Sequence, residues 1–386
     1  MPLHSLPALF MRGGTSNGLV FDSRDLPADR ADWDAIFLAA MGSPDPDGRQ
    51  LDGMGGGVSS LSKVCVLAPP SRADADIDYT FAQVSVREAS VDYAGNCGNM
   101  ASAMGPAALV LGLLRAEGAQ ARVRIHNTNT ARIVAATFPL EDGLLAGAGD
   151  LEIDGVAGTA APIRLDFLDP GGAKTGKLLP TGRARDRLDL PDGAEIEASL
   201  VDAANPCVFV AASALGKTGT EHPDDLQADA AFLARIEAIR QAGSVRMGLT
   251  ADLPAAARMA SLPKVAMVAP PAEARLLSGR VLPAEAMHLH VRMMSMGQAH
   301  RAVPITGALC LGLACRLPGS IPADCARPDE AALTLAHPSG SVLVDAQTAP
   351  EPGGARAISG AVYRTARLLF AGRVFHAAPP AAPPTP

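Results

Sequence analysis

The sequence is poor in aromatic side chains, and this scarcity limits how its interior can be built. Phe, Tyr and Trp together make up 4% of the 386 residues, with a single Trp. Because the hydrophobic share is nevertheless 48%, the cores must be filled by Val, Leu, Ala and Met. A chain of this length is too long for one ordinary core, so two domains are expected.

Further absences exclude whole classes of protein. The net charge is −7, so the basic face that a nucleic-acid partner would need is not expected. No apolar run reaches the roughly 20 residues of a membrane-spanning helix, and the first residues do not resemble a secretory signal. We therefore expect a cytoplasmic location, and since the six cysteines show no CxxC spacing, reduced thiols are expected there.

Signatures of cofactors are also missing. The sequence contains no P-loop and no dinucleotide-binding fingerprint, since "GMGGG" does not stand between a strand and a helix. His288 and His290 share one face of a predicted strand, but no third ligand follows at useful spacing. We therefore expect no cofactor and no metal.

The arrangement of predicted elements indicates an α+β fold. Short apolar strands separated by Gly, Pro and Asp recur along the chain, beginning with the strand–turn–strand pattern of "LFMRGGTSNGLVF". Helical periodicity is rarer. It predicts a helix in "DWDAIFLAAMG" that stops at Gly42, and one long surface helix in "DLQADAAFLARIEAIRQ". The tail at 377–386 is rich in Pro and Ala, and we expect it to be disordered.

An internal echo suggests that the chain contains a duplication. Residues 62–70 read "SKVCVLAPP" and residues 263–271 read "PKVAMVAPP". Downstream of each, a polar turn containing Gly opens a helix that is apolar nearly all round, and such a helix is buried on every side. We predict two pseudo-symmetric domains, each a curved, barrel-like sheet around a central helix: 1–185, completed by a strand at about 362–376, and 186–361.

The starts of the two central helices are candidate binding sites for anions. Unpaired N–H groups and the helix dipole favour negative charge there, and two such ends facing one cleft suit a small di- or tricarboxylate. Neighbouring Gly, amide, hydroxyl, imidazole and guanidinium groups can complete such a site. The candidate substrate-binding residues are Arg12, Thr15, Ser16, Asn17, Asn96, Gly98, Asn99, Ser295, Gly297, His300, Thr306 and Gly307.

Cys97 is one candidate for proton transfer. It lies among Gly and polar residues at the start of the first central helix, where a thiolate is stabilised by the dipole. Most free cysteines are instead small buried hydrophobic residues, and we interpret Cys65, Cys310 and Cys315 in that way.

Lys63 is the other candidate. It follows the loop "GGGVSSLS" and starts an apolar strand. A lysine in such a place is usually a surface charge, but positive helix ends nearby would disfavour its ammonium form and make it a usable general base. Its echo, Lys264, follows Pro263 and is interpreted as structural.

Nine motifs, taken together and in order, resemble the PrpF family between about residue 8 and about residue 375. This family includes 2-methylaconitate cis-trans isomerase, methylitaconate delta-isomerase and 4-oxalomesaconate tautomerase. The resemblance implies the diaminopimelate-epimerase-like fold, with an active site between two related domains. The motifs are "MRGGTSNG", "GSPDP", "DGMGGGVSSLSKV", "DYAGNCGNM", "HNTNT", "LLPTG", "RMGL", "SMGQAH" and "HPSG".

The resemblance also implies roles for particular residues. The family's acid/base lysine matches Lys63. Cys97 matches the first catalytic cysteine of the epimerase, whereas the second matches Pro304, which cannot be a base, so a two-thiol racemisation is not expected. Asn17 stands where relatives usually have Lys, and this could change which pattern of carboxylates is accepted.

The expected function is a cofactor-independent isomerase that moves a proton and a double bond in a small unsaturated di- or tricarboxylate. Methylaconitate and methylitaconate are the first candidate substrates, and 4-oxalomesaconate is the alternative. A non-catalytic carboxylate-binding accessory protein of an aconitase-like enzyme is the rival from another class. The candidate partners are a second copy of the chain, as a homodimer, and an aconitase-like dehydratase.

Overall fold

The computed structural model describes residues 3–93, 97–295, 297–328, 332–351 and 354–377. The strands, in chain order, are β1 (Leu3–Gly13), β2 (Ser16–Asp22), β3 (Lys63–Ala68), β4 (Ile77–Val84), β5 (Val91–Asp92), β6 (Gln120–Asn127), β7 (Arg132–Glu141), β8 (Leu144–Leu145), β9 (Leu151–Glu152), β10 (Thr159–Ala160), β11 (Ile163–Leu168), β12 (Asp186–Asp189), β13 (Glu195–Ala203), β14 (Asn205–Ala211), β15 (Lys264–Ala269), β16 (Ala274–Arg275), β17 (Val281–Leu282), β18 (Leu289–Ser295), β19 (Gln298–Ala299), β20 (Leu333–His337), β21 (Gly340–Glu351), β22 (Gly354–Arg364) and β23 (Ala366–Ala377). The helices are α1 (Trp33–Met41), α2 (Gly98–Val110), α3 (Pro223–Ala228), α4 (Ala230–Arg246), α5 (Leu253–Arg258), α6 (Ile305–Cys315) and α7 (Ile321–Cys325).

Contacts divide the chain into two compact units. One comprises Met1–Leu165 and Arg364–Pro386, and the other comprises Asp166–Tyr363. The sequence placed the first boundary at residue 185, but the stretch before it bonds within the second unit. Gly172 N–H donates to the Asp202 carbonyl at 2.7 Å, and Lys174 N–H donates to the Asp202 carboxylate at 2.8 Å.

The two units repeat one pattern of strand pairing. In the first, successive pairings of β1, β2, β3, β4, β6 and β7 are antiparallel, parallel, antiparallel, parallel and antiparallel. In the second, β13, β14, β15, β18, β20 and β21 pair in the same sequence of directions. The predicted α+β class and the duplication are therefore confirmed, and the β3 and β15 strands that carry the sequence echo are equivalent.

Each unit contains one helix that is buried all round. Every residue from Met100 to Leu109 of α2 is buried, and so is every residue from Gly307 to Ala314 of α6. The first helix contacts β1, β2, β3, β6, β7, β8 and β23, and the second contacts β13, β14 and β21. An all-apolar helix has no face to present to water, so the sheet curves around it.

Equivalent glycines set how closely the sheets approach these helices. A Cβ atom on Gly105 of α2 would lie 2.7 Å from the Phe138 ring, and one on Gly312 of α6 would lie 2.5 Å from Val344. Phe138 lies on β7 and Val344 on the equivalent β21. Both distances are shorter than real Cβ contacts, so any larger residue at either position would force its neighbour to shift.

The outer helices agree with the sequence patterns in one case and differ in the other. The predicted α1 ends where Gly42 adopts a left-handed conformation with φ of 72°. The long helix expected in "DLQADAAFLARIEAIRQ" is instead two helices, α3 and α4. Asp229 separates them, because its side chain accepts the Phe232 N–H and caps α4. Among the described residues no helix is both long and apolar enough to span a membrane.

Candidate active site

The turn between β1 and β2 is held from within by Arg12. Its Nη1 donates to the carbonyls of Gly14 at 2.9 Å and Thr365 at 3.0 Å, and to Thr365 Oγ1 at 3.0 Å. Burial, and then the charge of Arg367, lower the pKa of the Arg12 guanidinium. Arg12, a sequence-predicted binding residue, therefore shapes the turn that carries the other candidates.

This turn packs against the start of α2, and its two glycines permit the contact. A Cβ atom on Gly13 would lie 2.5 Å from the Asn99 carbonyl oxygen, and one on Gly14 would lie 2.3 Å from Asn99 Oδ1. Gly14 also has a φ of 53°, a backbone conformation that residues other than glycine rarely adopt. Asn99 Nδ2 donates to Thr15 Oγ1 at 3.1 Å, so Thr15 and Asn99 are brought together as expected.

Arg364 is a residue of this cluster that the sequence did not reveal. Its Nε donates to Asn99 Oδ1 at 3.3 Å, and burial lowers the pKa of its guanidinium to about 10. It therefore remains a cation at neutral pH. The only signal in the sequence was a charged residue within the strand pattern "SGAVYRTA". Arg364 lies 265 positions after Asn99, so the sequence did not link the two residues.

Cys97 is the N-cap residue of α2. Its backbone is extended, with φ of −111° and ψ of 97°, and its side chain does not cap the helix. The thiol is partly exposed and free. The first N–H groups of α2 and the Cys97 thiol therefore lie at one helix end, as the sequence predicted, with Gly98 as the first helical residue.

Lys63 begins β3 and is buried, with 7% of its surface exposed. Its Nζ donates to Gln83 Oε1 at 2.7 Å and lies 5.1 Å from the centre of the Phe81 ring. A Cβ atom on Gly18 would lie 2.4 Å from the Lys63 carbonyl oxygen, so a glycine is needed where β2 passes this lysine. In the described part of the chain no carboxylate forms an ion pair with Lys63.

Two further groups lie on the face of the sheet that carries Lys63. Cys65 Sγ is 3.8 Å from Tyr79 Oη, and both side chains are fully buried. Burial, followed by the charge of Cys97, raises the pKa of the Cys65 thiol, and burial likewise raises the pKa of Tyr79. Both groups therefore stay neutral, and Cys65 lies closer to the candidate acid/base residues than its apolar sequence context suggested.

The opposite face of these strands belongs to a hydrophobic core. Val64 and Val66 of β3 pack with Phe21 and with Phe37 of α1. This packing fixes the register of β3, because a shift by one residue would move Lys63 into the core.

Ser16 and Asn17 lie at the start of β2. Ser16 is buried and pairs with Gly13 across the turn. The side-chain oxygen of Asn17 is buried, and within the described ranges it has no hydrogen-bond partner. Asn96 lies outside the described residues.

The candidates of the second unit occupy two places. Thr306 and Gly307 are in the first turn of α6, and Pro304 is its N-cap residue, as Cys97 is for α2. Gly297, with φ of 72°, is in the turn between β18 and β19, where Ser295 pairs with Gln298. The side chain of Ser295 is not among those described.

His300 lies just after this turn, and its N–H donates to the Met293 carbonyl at 2.9 Å. Burial, and then the charge of Lys264, lower the pKa of His300. Burial also lowers the pKa of Lys264, which pairs with Cys207 on the neighbouring strand. The second unit thus has its own partly buried lysine beside a thiol and an imidazole.

Comparison with known proteins gives matches over almost the whole chain. A family model described as PrpF protein matches residues 3–377. The 2-methyl-aconitate isomerase of Shewanella oneidensis is 39% identical over 385 residues, which is 97% of each chain. The (4E)-oxalomesaconate Delta-isomerase of a Novosphingobium strain is 41% identical over 378 residues, covering 97% of this chain and 98% of that protein. The crystal structure of a methylitaconate-delta-isomerase is 38% identical, with a TM-score of 0.90 and coverage of 100% of both chains.

Proposed function

The chain is an isomerase that belongs to the PrpF family, and we propose that it moves a proton within a small unsaturated di- or tricarboxylate. The resemblance of the sequence motifs to this family is confirmed by the match over residues 3–377. The similar enzymes are named for 2-methyl-aconitate, methylitaconate and oxalomesaconate. We propose methylaconitate or methylitaconate as the substrate, with 4-oxalomesaconate as the alternative.

In the proposed reaction, Lys63 in its amine form removes a proton from the carbon next to the double bond. The electrons of that C–H bond pass into the conjugated system and give a dienolate. The proton then returns to the far allylic carbon, which moves the double bond, or to the original carbon after a rotation, which exchanges cis and trans. A C–H bond is exchanged for an N–H bond of Lys63 and back again, and the electrons stay within the substrate, so the scheme needs no redox or group-transfer cofactor.

The observation that carries this role is the setting of Lys63. The residue is buried and its Nζ is hydrogen-bonded to a neutral amide, with no carboxylate paired to it among the described residues. A carboxylate partner would favour the ammonium form of a lysine, whereas the oxygen of a neutral amide accepts a hydrogen bond from an ammonium and from an amine alike.

We propose that one carboxylate of the substrate binds at the start of α2. The first N–H groups there, which the Cys97 side chain does not cap, favour an anion, and Thr15, Asn99 and the partly buried cation of Arg364 lie at the same helix end. A single preorganised donor to the developing negative charge contributes roughly 3 kcal/mol to transition-state stabilisation. The contribution of the α6 end, expected from the sequence, stays a prediction.

Cys97 acts in this proposal as a second acid/base group or polarises the bound substrate. A two-thiol racemase would need a second cysteine at the start of α6, and Pro304 occupies that position. Proton transfer between two opposed thiols is therefore not part of the proposal.

The proposal is tested by proton NMR in heavy water with methylaconitate, methylitaconate and oxalomesaconate. We expect the wild-type protein to interconvert isomers of one of these acids and to introduce solvent deuterium. Lys63→Ala should lower turnover by about 10²–10⁴-fold, the usual contribution of a general base. Lys177→Ala, which removes an exposed lysine, is the matched control. Near-full turnover by Lys63→Ala would remove the base from the scheme.

The same experiment distinguishes the rival function. An accessory protein that only carries a carboxylate would bind one of the acids without deuterium entering it. The homodimer, the pairing with an aconitase-like dehydratase and the cytoplasmic location stay predictions. All six cysteines are free, as a reducing compartment would require.

A further inference from the structure

Lys63 and Gln83 form a cross-strand pair in the first unit. They are directly opposite each other in the antiparallel ladder of β3 and β4. Their side chains therefore lie on one face of the sheet, and the 2.7 Å hydrogen bond from Lys63 Nζ to Gln83 Oε1 spans the pair. The motif containing Lys63 was evident in the sequence, but Gln83, in "DYTFAQVS", gave no sign of a role.

The orientation of the Gln83 amide is fixed by its other hydrogen bonds. Nε2 donates to the carbonyl of Ser62 at 2.8 Å and to the carbonyl of Ser59 at 3.0 Å. Both amide hydrogens thus have acceptors, and a flipped amide would place its oxygen against two carbonyls and its NH₂ against the lysine. The oxygen must face Nζ.

Ser62, one of the two residues whose carbonyls hold Gln83, is itself held through its hydroxyl by a buried glutamine. Gln50 Nε2 donates to Ser62 Oγ and to Ser43 Oγ, each at 2.8 Å, and its Oε1 accepts the Gly57 N–H at 3.0 Å. Gln50 and Ser62 are almost completely buried. The Gly-rich loop before β3 therefore has a structural task, because it anchors the amide that contacts Lys63.

An amide oxygen has a property that a proton-transferring lysine requires. It accepts a hydrogen bond from an ammonium and from a neutral amine alike, whereas a carboxylate strongly favours the ammonium. The other titratable groups on this face of the sheet are Cys65 on the same strand, Tyr79 on β4 and Asp92 on β5, and Cys97 at the start of α2 acts on the pKa of the first two. Burial keeps Cys65 and Tyr79 neutral, and Asp92 is exposed to solvent, so the hydrogen-bond partner of Nζ is a neutral amide and not a carboxylate.

We propose that Gln83 is a positioning residue for Lys63, which holds Nζ toward the substrate through an acceptor that tolerates both protonation states. This inference rests on the proposed role of Lys63 as the base. Comparison with the second unit supports this inference. When the register of β15 and β18 is continued by one residue beyond their ladder, Ser295 lies opposite Lys264, at the position equivalent to Gln83. The glutamine therefore belongs to the site of the first unit and not to the framework that both units share.

The first test compares two substitutions by the pH dependence of kcat/KM. Gln83→Glu places a carboxylate beside Nζ and should move the acid limb of the profile upward by about 1–3 pH units. Gln83→Met keeps the length but removes the acceptor. It should lower kcat by about 10²-fold, as expected for a misplaced catalytic group, with a smaller effect on KM and no upward shift of the acid limb. Gln120→Glu, on the exposed end of β6, is the control.

The second test does not depend on turnover. Acetylation of Lys63 by acetic anhydride is followed against pH by mass spectrometry of peptides, in the wild-type protein and in Gln83→Glu. The midpoint of labelling should move upward in the variant. An unchanged midpoint, or wild-type kcat in Gln83→Met, overturns the positioning role. Should Gln83→Glu fail to fold, Gln83→Met alone decides, because retained kcat refutes the role and selective loss of kcat supports it.

The two proposals fail in different ways. If Lys63→Ala keeps full turnover, the assignment of Lys63 as the general base is wrong, whatever the labelling shows. If Lys63→Ala is inactive and the labelling midpoint is the same in the wild-type protein and in Gln83→Glu, the base survives and the role of Gln83 does not.

Discussion

The contact between the β1–β2 turn and α2 leads to a prediction about Gly13. A Cβ atom at this position would lie 2.5 Å from the backbone oxygen of Asn99 and 3.0 Å from Met100 Cα, whereas ordinary contacts begin at 3.4 Å. Since both obstacles are backbone atoms, they cannot rotate away as a side chain would. Gly13→Ala should therefore push the turn away from the helix start by just under 1 Å, the difference between these distances.

The displacement should lower the stability of the protein and, to a larger extent, its catalytic turnover. Overpacking of this kind destabilises by about 1–3 kcal/mol, which corresponds to a fall of roughly 2–12 °C in the Tm of a unit of this size. Moving catalytic and binding groups by about 1 Å lowers turnover by about 10²-fold. Because Thr15 is bonded to Asn99, the loss should appear mainly in kcat/KM for the carboxylate substrate.

The assay combines thermal unfolding with kinetics on the acid that the NMR panel identifies. Gly147→Ala is the matched control, since Gly147 lies in the same unit and a Cβ atom there meets nothing within 4 Å. We expect the control to differ little from the wild-type protein. A Gly13→Ala protein with wild-type kcat/KM would refute the claim that this turn and the helix start form one rigid site.

Two further predictions concern packing and pH. Gly105→Ala and Gly312→Ala should each lower the free energy of unfolding by about 1–3 kcal/mol, measured by chemical denaturation, because each Cβ atom would lie less than 3 Å from a buried side chain; a neutral effect at either site would contradict the shared packing. Burial lowers the pKa of His300 in the folded protein, whereas in the unfolded chain this pKa has its usual value of about 6.5. As the pH drops through 6.5 the unfolded chain therefore binds more protons than the folded chain, and the stability of the fold decreases. His300→Gln should therefore lose less Tm than the wild-type protein between about pH 7.5 and pH 5.5, and an equal loss would show that another group titrates.

The sequence predicted the features that depend on local pattern. The α+β class, the buried central helices and the duplication followed from apolar periodicity and from one repeated nonapeptide. Cys97 was placed correctly at the start of α2 because Gly and Asn around it end one element and begin another. These are properties of neighbouring residues, and the chain displays them directly.

What the sequence did not predict depends on distant contacts. Gln83 and Arg364 resemble ordinary strand residues, and only the folded chain brings them to Lys63 and Asn99. The break between α3 and α4 escaped prediction for a different reason. Asp229 fits the helical periodicity, but its side chain is more useful as a cap for α4 than as a helical residue.

Comparison of the two units separates the requirements of the fold from those of the site. The glycines that let the sheet approach the central helix occur in both units, as Gly105 and Gly312. At the start of the helix the units differ, since Cys97 stands where the second unit has Pro304.

The strands next to the two equivalent lysines differ as well. On the neighbouring strand, Gly18 lies against the backbone of Lys63 in the first unit, whereas Cys207 pairs with Lys264 in the second. A repeat whose packing positions agree and whose polar positions differ is expected if one framework carries different chemistry in its two units. If that is right, Lys264→Ala and Lys63→Ala should not be equivalent: only the lysine that has Gln83 opposite it should abolish deuterium incorporation when it is removed.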